Sequence, residues 1–282
     1  MALDETGNLI HQGQAGSANL VSTPERRLRS NLLQATRECP GADYICGCFA
    51  GLMTEDDGHR AESYLQALFP HAQVHAEPDF AAAYSASETG TDICVISGTG
   101  SLVCSRHDGR MAKSGGRGFI LGDAGSAYQF GRDAMIHFLN APADASGPLR
   151  EMIVKLFGTD VESEIVSKLY QMPSPQSVLA KLAKGVAVDL REGHAYAATS
   201  VRLNMGELAE VVASHIQRHF PGAASINISL AGGLWQTSPL FKESFIAQLE
   251  EKAGRTQVEI HRIVKPPVYG AVQLAMEMAH VN

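Results

Sequence analysis

The sequence lacks any long hydrophobic run. No stretch approaches the roughly 18 consecutive apolar residues that a membrane-spanning helix needs, and residues 1–7 have no basic region followed by an apolar one. We therefore expect neither a membrane span nor a signal peptide. Lysine and arginine are scattered rather than clustered, and the net charge is −7. This balance argues against nucleic acid and anionic membranes as partners and argues for solubility.

Cysteine is scarce and odd in number. The chain has five cysteines, which fits a reducing compartment better than a disulfide framework. Cys46 and Cys48 lie in an apolar run with no second Cys or His pair at zinc spacing. We therefore expect a buried strand with buried thiols there and no metal site, and the odd number of cysteines favours the cytoplasm.

Apolar residues are plentiful enough for a large core, at 45% of 282 residues. Periodicity and turn residues predict strands near residues 3–12 (strand, turn, strand), 43–50, 72–76, 92–97, 102–105, 225–230 and 257–264. They predict helices from 22–25 onward, where Ser22 or Thr23 would supply a hydroxyl cap, at 61–70, 78–87, 239–253 and 266–279, and a mostly helical block over 124–220. This order predicts an α/β fold in two lobes, residues 1–105 and 106–282, with the last helix able to pack back on the first lobe.

One turn between two predicted strands suits an anion. Gly98, Thr99, Gly100 and Ser101 form this segment, the 98–101 turn. Small residues allow backbone N–H groups to wrap a phosphate, and the two hydroxyls add donors. A plain hairpin turn explains the same residues, so both interpretations stay open on the sequence.

A second glycine-rich segment follows closely. Residues 114–126, the Gly-rich loop, contain Ser-Gly-Gly-Arg-Gly and then Gly-Asp-Ala-Gly-Ser at a predicted helix start. The carboxylate of Asp123 and the exposed backbone donors of such a segment suit sugar hydroxyls or a hydrated cation. Alternatively, Asp123 caps the helix.

Two further segments stand at the ends of predicted strands, where ligands bind in open α/β sheets. Asp79 follows one strand and opens a helix, so its carboxylate could take a proton from an attacking hydroxyl in phosphoryl transfer. Its alternative role is that of an N-cap beside Pro78. Gly232 and Gly233 follow the end of another predicted strand, and we call residues 231–233 the 231–233 turn. Because glycine has no Cβ, this turn would let the backbone lie against an adenosine. A simple strand-to-helix turn is the alternative.

In this order the motifs resemble those of the actin and hexokinase ATPase superfamily. Within it the chain is similar to the N-acetylglucosamine kinases and the BadF/BadG/BcrA/BcrD-type ATPases, over essentially its whole length. The resemblance is carried by Val95–Ser101, by Leu121–Tyr128 except at Ala124, and by Lys265–Ala271. It implies a two-lobed actin-like (ribonuclease H-like) fold with mixed sheets flanked by helices, and the use of ATP with Mg2+.

The resemblance also implies residue roles and an activity. Asp79 would be the general base, and Thr99 would lie near the γ-phosphate. The implied ATP contacts are Gly98, Thr99, Gly100, Ser101, Gly232 and Gly233, and the implied sugar contacts are Asn19, Asp79, Gly116, Arg117, Gly118 and Asp123. No residue is implied as a metal ligand. The implied reaction converts an amino sugar, N-acetylglucosamine foremost, to its 6-phosphate; a homodimer is compatible with it.

Two departures from the family pattern bear on the predicted activity. Arg117 stands where N-acetylglucosamine kinases often carry Trp, which bears on the choice of sugar. The resemblance also implies a strand and a glycine-rich phosphate hairpin ahead of residues 2–4. We therefore expect the first lobe to lack its first strand and this chain to turn over ATP poorly.

Two alternatives remain open on the sequence. One is an ATPase that activates a dehydratase or reductase through a shared iron–sulfur cluster. All five cysteines precede the Gly-Asp-Ala-Gly-Ser segment, which argues against such a cluster because thiolates are its usual ligands. The other is a non-catalytic sugar-binding relative, which the incomplete first lobe favours and the presence of Asp79 disfavours.

Overall fold

The computed structural model describes residues 1–39, 41–254, 256–263 and 265–280. Its strands are β1 (Ala2–Leu3), β2 (Leu9–His11), β3 (Tyr44–Phe49), β4 (Gln73–Pro78), β5 (Ile93–Ser97), β6 (Ser101–His107), β7 (Arg110–Gly115), β8 (Ser225–Ala231) and β9 (Gln257–Arg262). Its helices are α1 (Glu25–Thr36), α2 (Glu55–Leu68), α3 (Asp79–Ser85), α4 (Ala127–Asn140), α5 (Gly147–Phe157), α6 (Glu162–Gln171), α7 (Pro175–Leu179), α8 (Ala183–Arg191), α9 (Ala195–His219), α10 (Leu234–Thr237), α11 (Pro239–Lys252) and α12 (Pro267–His280). Short 3-10 helices at Pro142–Asp144 and Ala180–Leu182 complete the set. The predicted α/β class is confirmed.

Residues 91–262 form one unit around a five-stranded mixed sheet, in the order β7-β6-β5-β8-β9. The first three strands are antiparallel neighbours, whereas β5, β8 and β9 run parallel. Parallel neighbours place the carboxyl ends of β5 and β8 at the same edge of the sheet. The segments that follow these two strands, the 98–101 turn and the 231–233 turn, therefore meet there.

The core of this unit joins the sheet to the helical block. Ile93 and Val95 of β5 are fully buried, and so are Phe130 of α4 and Phe241 of α11, whose rings stack at 4.8 Å between centroids. Fully burying side chains of this kind stabilises a fold by about 1.5–3 kcal/mol each. The packed helices thus hold β5, and with it the 98–101 turn, in a fixed place.

The described residues of 1–90 and 263–282 form a second unit. Its β1–β2 hairpin turns at the predicted Thr6-Gly7-Asn8, where the Asp4 carboxylate accepts the backbone N–H groups of Thr6 and Asn8, each at 2.9 Å. The hydroxyl of Thr6 donates to the same carboxylate at 2.7 Å, and this bond, followed by those from Asn8, lowers the pKa of Asp4 to about 2. A separate parallel pair, β3 and β4, packs under α2.

The last helix belongs to this unit and packs against α3. A Cβ on Gly270 would lie 1.9 Å from the carbonyl oxygen of Ala82, so only glycine lets the two helices approach so closely. The boundary expected at residue 105 therefore moves to residues 90–91, and the second segment ends near 262 rather than 282. The reason is that β5 and β6 hydrogen-bond into the five-stranded sheet and cannot belong with β1–β4.

Some local predictions are wrong. Helix α1 has Pro24 at its N-cap and no side-chain cap, although Ser22 and Thr23 suggested a hydroxyl cap. Strand β3 was expected to be buried, yet only Phe49 is. Among the described strands, β4 is its one partner, so β3 is less covered than a central strand. The predicted end of β9 at Val264 lies outside the described residues.

Candidate functional site

The 98–101 turn closes the β5–β6 hairpin. Ser97 pairs with Ser101, and the N–H of Gly98 donates to the carbonyl of Gly100 at 2.8 Å. Thr99 is exposed at the tip. The backbone N–H groups of Thr99 and Gly100 have no hydrogen-bond acceptor among the described residues. The hairpin interpretation is therefore right about the geometry, and the turn still offers two backbone donors for an anion.

The turn is tied to the start of α4. The N–H of Ala127 donates to the carbonyl of Gly98 at 2.8 Å, and the hydroxyl of Ser101 donates to the carbonyl of Ala124 at 2.6 Å. These bonds join the 98–101 turn to the end of the Gly-rich loop. The two segments therefore form a single framework rather than two independent loops.

Asp123 lies inside this framework. Its side chain is buried, its backbone has a φ of 64°, and its carboxylate accepts the backbone N–H groups of Ser101 and Gly118. Burial raises the pKa of Asp123, and the two hydrogen bonds partly oppose that rise. The N-cap of α4 is Ser126, which accepts the N–H of Gln129, so Asp123 is not the helix cap.

Close packing explains the glycine at position 100. A Cβ there would lie 2.8 Å from Oδ2 of Asp123, whereas a Cβ on Gly98 would meet nothing closer than 3.9 Å. Of the remaining predicted sugar contacts on the Gly-rich loop, Gly116 packs on Leu102 and Arg117 is exposed.

The 231–233 turn lies directly beside β5. Gly232 has a φ of 103°, and a Cβ on it would lie 2.1 Å from the carbonyl oxygen of Ser97. Gly233 follows as the N-cap of the short helix α10. Gly232 and Gly233 are both exposed. The structure thus brings the 98–101 turn, Asp123, Gly118 and the 231–233 turn together at one edge of the sheet.

Asp79 and Asn19 belong to the other unit. Asp79 is the first residue of α3, immediately after β4, and it is exposed. The N-cap position is occupied by Pro78, without a side-chain cap. The capping interpretation of Asp79 therefore finds no support, and its carboxylate stands at the carboxyl end of a parallel strand, as predicted.

Asn19 is held by its own turn. Its Oδ1 accepts the backbone N–H groups of Val21 and Ser22, both at 2.9 Å. Its amide nitrogen donates to no described residue. Asn19 is therefore better placed to donate to a ligand than to accept from one, although the residue type alone suggested both.

One group of potential metal ligands occurs among the described residues. Atoms of Asp189, Glu192 and His194 lie within 4.8 Å of one another. Asp189 is fully buried, and its two oxygens accept the hydroxyls of Ser146, at 2.6 Å, and Tyr196. These two hydrogen bonds tie Asp189 of α8 to the starts of α5 and α9.

Sequence reasoning missed Ser97. This residue is fully buried, and its hydroxyl donates to the carbonyl of Gly125 at 2.7 Å. A serine at the end of an apolar strand was the only signal, and it does not reveal a partner 28 residues away.

Residues 1–275 match the family description of the BadF/BadG/BcrA/BcrD ATPases. The chain belongs to this family. For a BadF/BadG/BcrA/BcrD-family ATPase, ATP is the nucleotide to consider at the two turns. Among the described residues, no helix combines the length and the apolarity that crossing a bilayer requires.

Individual relatives of this BadF/BadG/BcrA/BcrD-family chain are sugar kinases by name. It is 36% identical over 104 residues to an N-acetylmuramic acid/N-acetylglucosamine kinase of Clostridium acetobutylicum, covering 36% of this chain and 33% of that one. It is 29% identical over 140 residues to an N-acetyl-D-glucosamine kinase of Dictyostelium discoideum, covering 47% and 43%. The chain thus matches less than half the length of these curated relatives.

A solved structure shares the fold. A candidate N-acetylglucosamine kinase of Porphyromonas gingivalis superimposes with a TM-score of 0.74 at 19% identity, covering 96% of this chain and 93% of that one. The expected actin-like fold with mixed sheets flanked by helices is therefore confirmed.

Proposed function

We propose that this chain is an ATP-dependent sugar kinase that phosphorylates an amino sugar, N-acetylglucosamine foremost, at its 6-hydroxyl. One observation carries the proposal. In an ATPase-family chain, the 98–101 turn, the Gly-rich loop and the 231–233 turn converge at the carboxyl ends of β5 and β8. That edge is where nucleotides and sugars bind in open α/β sheets.

Each turn has a distinct part in the proposal. The N–H groups of Thr99 and Gly100, with the hydroxyl of Thr99, would hold the phosphates of ATP. Gly232 and Gly233 would let the backbone lie against the adenosine, because neither carries a Cβ. Mg2+ would accompany ATP through its phosphates and water, as this ion usually does.

Asn19 and Asp79 have the proposed side-chain roles toward the sugar. The free amide nitrogen of Asn19 would donate to a ring hydroxyl, and Asp79 would accept the proton of the attacking hydroxyl. The oxygen of that hydroxyl would bond to the γ-phosphorus as ADP leaves. Gly116, Gly118 and Asp123 would line the sugar wall.

Arg117 bears on which amino sugar is preferred. It is exposed on the Gly-rich loop. A guanidinium near the 2-position repels the ammonium of glucosamine but tolerates the neutral acetamide of N-acetylglucosamine. The two named relatives act by name on N-acetylated amino sugars, which supports the same preference.

A screen of sugars tests the proposal. Purified protein with Mg-ATP would be given N-acetylglucosamine, glucosamine, N-acetylmuramic acid and glucose, with ADP release as the readout and phosphorus NMR to locate the phosphate. Direct titration of each sugar would run in parallel. We expect N-acetylglucosamine to give the highest kcat/KM and a 6-phosphate product.

The outcomes separate the alternatives. A clear preference for glucose or glucosamine would contradict the choice of sugar. Sugar binding without ADP release would favour a non-catalytic sugar-binding protein. If no sugar binds and no sugar causes ADP release, the proposal is overturned.

A further inference from the structure

Ser97 stands where three segments of the site meet. Its side chain is fully buried at the end of β5, immediately before the 98–101 turn. Its hydroxyl donates to the carbonyl of Gly125 in the Gly-rich loop at 2.7 Å. Its backbone carbonyl lies against Gly232, where an added Cβ would approach to 2.1 Å. One residue therefore touches all three segments to which we assign ligands.

The hydroxyl of Ser97 is the polar link nearest the origin of the turn. The Ala127–Gly98 and Ser101–Ala124 hydrogen bonds tie the same two segments slightly farther along. These bonds act on Gly98 and Ser101, the first and last residues of the turn, whereas Ser97 fixes the residue from which the turn departs. A displacement of Ser97 would shift Gly98 and the donors of Thr99 and Gly100 together.

Removing the hydroxyl would leave a carbonyl without its partner. The carbonyl of Gly125 lies in a buried part of the loop, and a buried acceptor that loses its hydrogen bond must find another one or move. The Ala127–Gly98 and Ser101–Ala124 bonds would still join the two segments, so we expect a local displacement of Ser97 and Gly98 against the Gly-rich loop. At a phosphate site, a displacement of about 1 Å is enough to reduce turnover strongly.

We propose that Ser97 is a positioning residue that sets the 98–101 turn against both the Gly-rich loop and the 231–233 turn. The proposal rests on the proposed function insofar as it treats these turns as the nucleotide site. Ser97 touches no substrate in this role. It acts through the backbone of Gly98, Gly125 and Gly232.

The test compares two buried serines of the same sheet. Ser97→Ala removes the link described above. Ser229→Ala is the matched control, because Ser229 is also buried, lies on the adjacent strand β8, and uses its hydroxyl to bond the hydroxyl of Thr91 at 2.8 Å. Ser97→Thr keeps a hydroxyl and serves as the conservative variant. Calorimetric titration with Mg-ATP, melting temperature, and kcat and KM for ATP and sugar would be measured for each.

We expect Ser97→Ala to weaken Mg-ATP binding and to lower kcat by about tenfold or more, while the KM for the sugar changes little. Ser229→Ala should lose a similar amount of melting temperature yet keep wild-type nucleotide binding and kcat. Ser97→Thr should recover much of the lost affinity. If Ser97 had only a structural role, its loss would affect nucleotide binding and kcat no more than the loss of Ser229 does.

The results distinguish a failure of the positioning role from a failure of the proposed function. The positioning role is overturned if Ser97→Ala keeps wild-type nucleotide binding and kcat. It is also overturned if both alanine variants lose nucleotide binding and kcat equally. If the unmodified protein binds Mg-ATP but phosphorylates no sugar, the proposed function fails while the titrations still decide on Ser97. If the unmodified protein binds no Mg-ATP, both ideas fail.

Discussion

Two carboxylates of the candidate site lie in contrasting environments. Asp79 is exposed in the first turn of α3, whereas Asp123 is buried and accepts two backbone N–H groups. A buried carboxylate with a raised pKa and fixed hydrogen bonds is suited to holding neighbouring segments in place. An exposed one at a strand end is suited to exchanging a proton with a substrate. These environments support the proposal that Asp79 accepts the proton.

Replacing Asp79 by Asn should reduce turnover by about two orders of magnitude or more, because the amide cannot accept the proton of the hydroxyl. The melting temperature should change little, since the side chain is exposed. Asp56→Asn provides the control, as Asp56 is an exposed acid in the first turn of α2 in the same unit. Near-normal turnover of Asp79→Asn would show that another group is the base.

Gly100→Ala should be far more damaging than Gly98→Ala. The new methyl at position 100 would meet Oδ2 of Asp123 at 2.8 Å, and that carboxylate is held by two backbone donors, whereas position 98 has room. Overpacking of this kind costs about 1–3 kcal/mol, or about 2–4 °C of melting temperature per kcal/mol in a unit of this size. Thermal unfolding of both variants is the measurement. Equal stability of the two would mean that Asp123 moves aside freely.

On the scale of elements, the end of α9 forms a histidine cluster with β6 and β7. His215 is fully buried, with Ser105 Oγ and Ser114 Oγ each 2.9 Å from one of its ring nitrogens. Its ring lies 4.5 Å from that of His219, and His107 stacks on His219. Burial, and then the neighbouring His219, His107 and Arg218, lower the pKa of His215 to about 4.

Acid should destabilise the unit of residues 91–262 through this cluster. The folded pKa of His215 is about 4 and the ordinary value is 6.5, so the unfolded chain binds the extra proton within that window. The contribution of neutral His215 to the free energy of unfolding is therefore fully present above about pH 6.5. It falls as the pH drops toward 4, by at most about 1.4 kcal/mol per pH unit for one proton. Denaturant unfolding across this range measures the slope.

His215→Gln should flatten that dependence, because Gln can still bond both serines but does not titrate. His261→Gln is the control, since His261 is exposed on β9 in the same unit. An unchanged pH slope in His215→Gln would show that other groups cause the loss of stability in acid.

The elements also show how far the sequence alone leads. Alternation of short apolar runs with helical periodicity predicted most strands and helices, because burial dictates both patterns. The start of α2 was missed by several residues, since its capping box uses Thr54 with Asp57 in place of the usual Glu or Gln. Helix α10 is too short to leave a periodic pattern.

The site was less predictable than the fold. Glycine-rich segments at strand ends indicated the 98–101 and 231–233 turns correctly as turns. The hydrogen bonds that join Ser97 and the 98–101 turn to the Gly-rich loop are long-range: Ser97 to Gly125, and the backbone N–H of Ser101 to Asp123. No local pattern encodes such pairs, because they depend on how the hairpin and the start of α4 pack.

On the scale of the whole molecule, the two units differ in continuity. Residues 91–262 are one uninterrupted segment with its own sheet and core, whereas the other unit is assembled from two separated segments. The proposed nucleotide contacts all lie in the continuous unit. The proposed base Asp79 and the proposed sugar contact Asn19 lie in the unit of two segments.

A fragment of residues 91–262 should therefore fold alone and bind Mg-ATP without phosphorylating any sugar. Its continuous core predicts a cooperative thermal transition by circular dichroism, and titration calorimetry would detect the nucleotide. A fragment that unfolds without cooperativity would show that the remaining residues are needed for its core. Sugar phosphorylation by the fragment would show that Asp79 is dispensable.

The packing of Gly270 against Ala82 has a consequence for synthesis of the protein. Helix α12 leaves the ribosome roughly 180 residues after the N-terminal segment is complete, which at about 5–20 residues per second is a delay of roughly 10–40 s. During that time α3 has been translated but the helix that covers it has not. Residues 91–262 can finish folding first, so the beginning of the chain is the last part to mature. It is also the part that nascent-chain chaperones would have to shield.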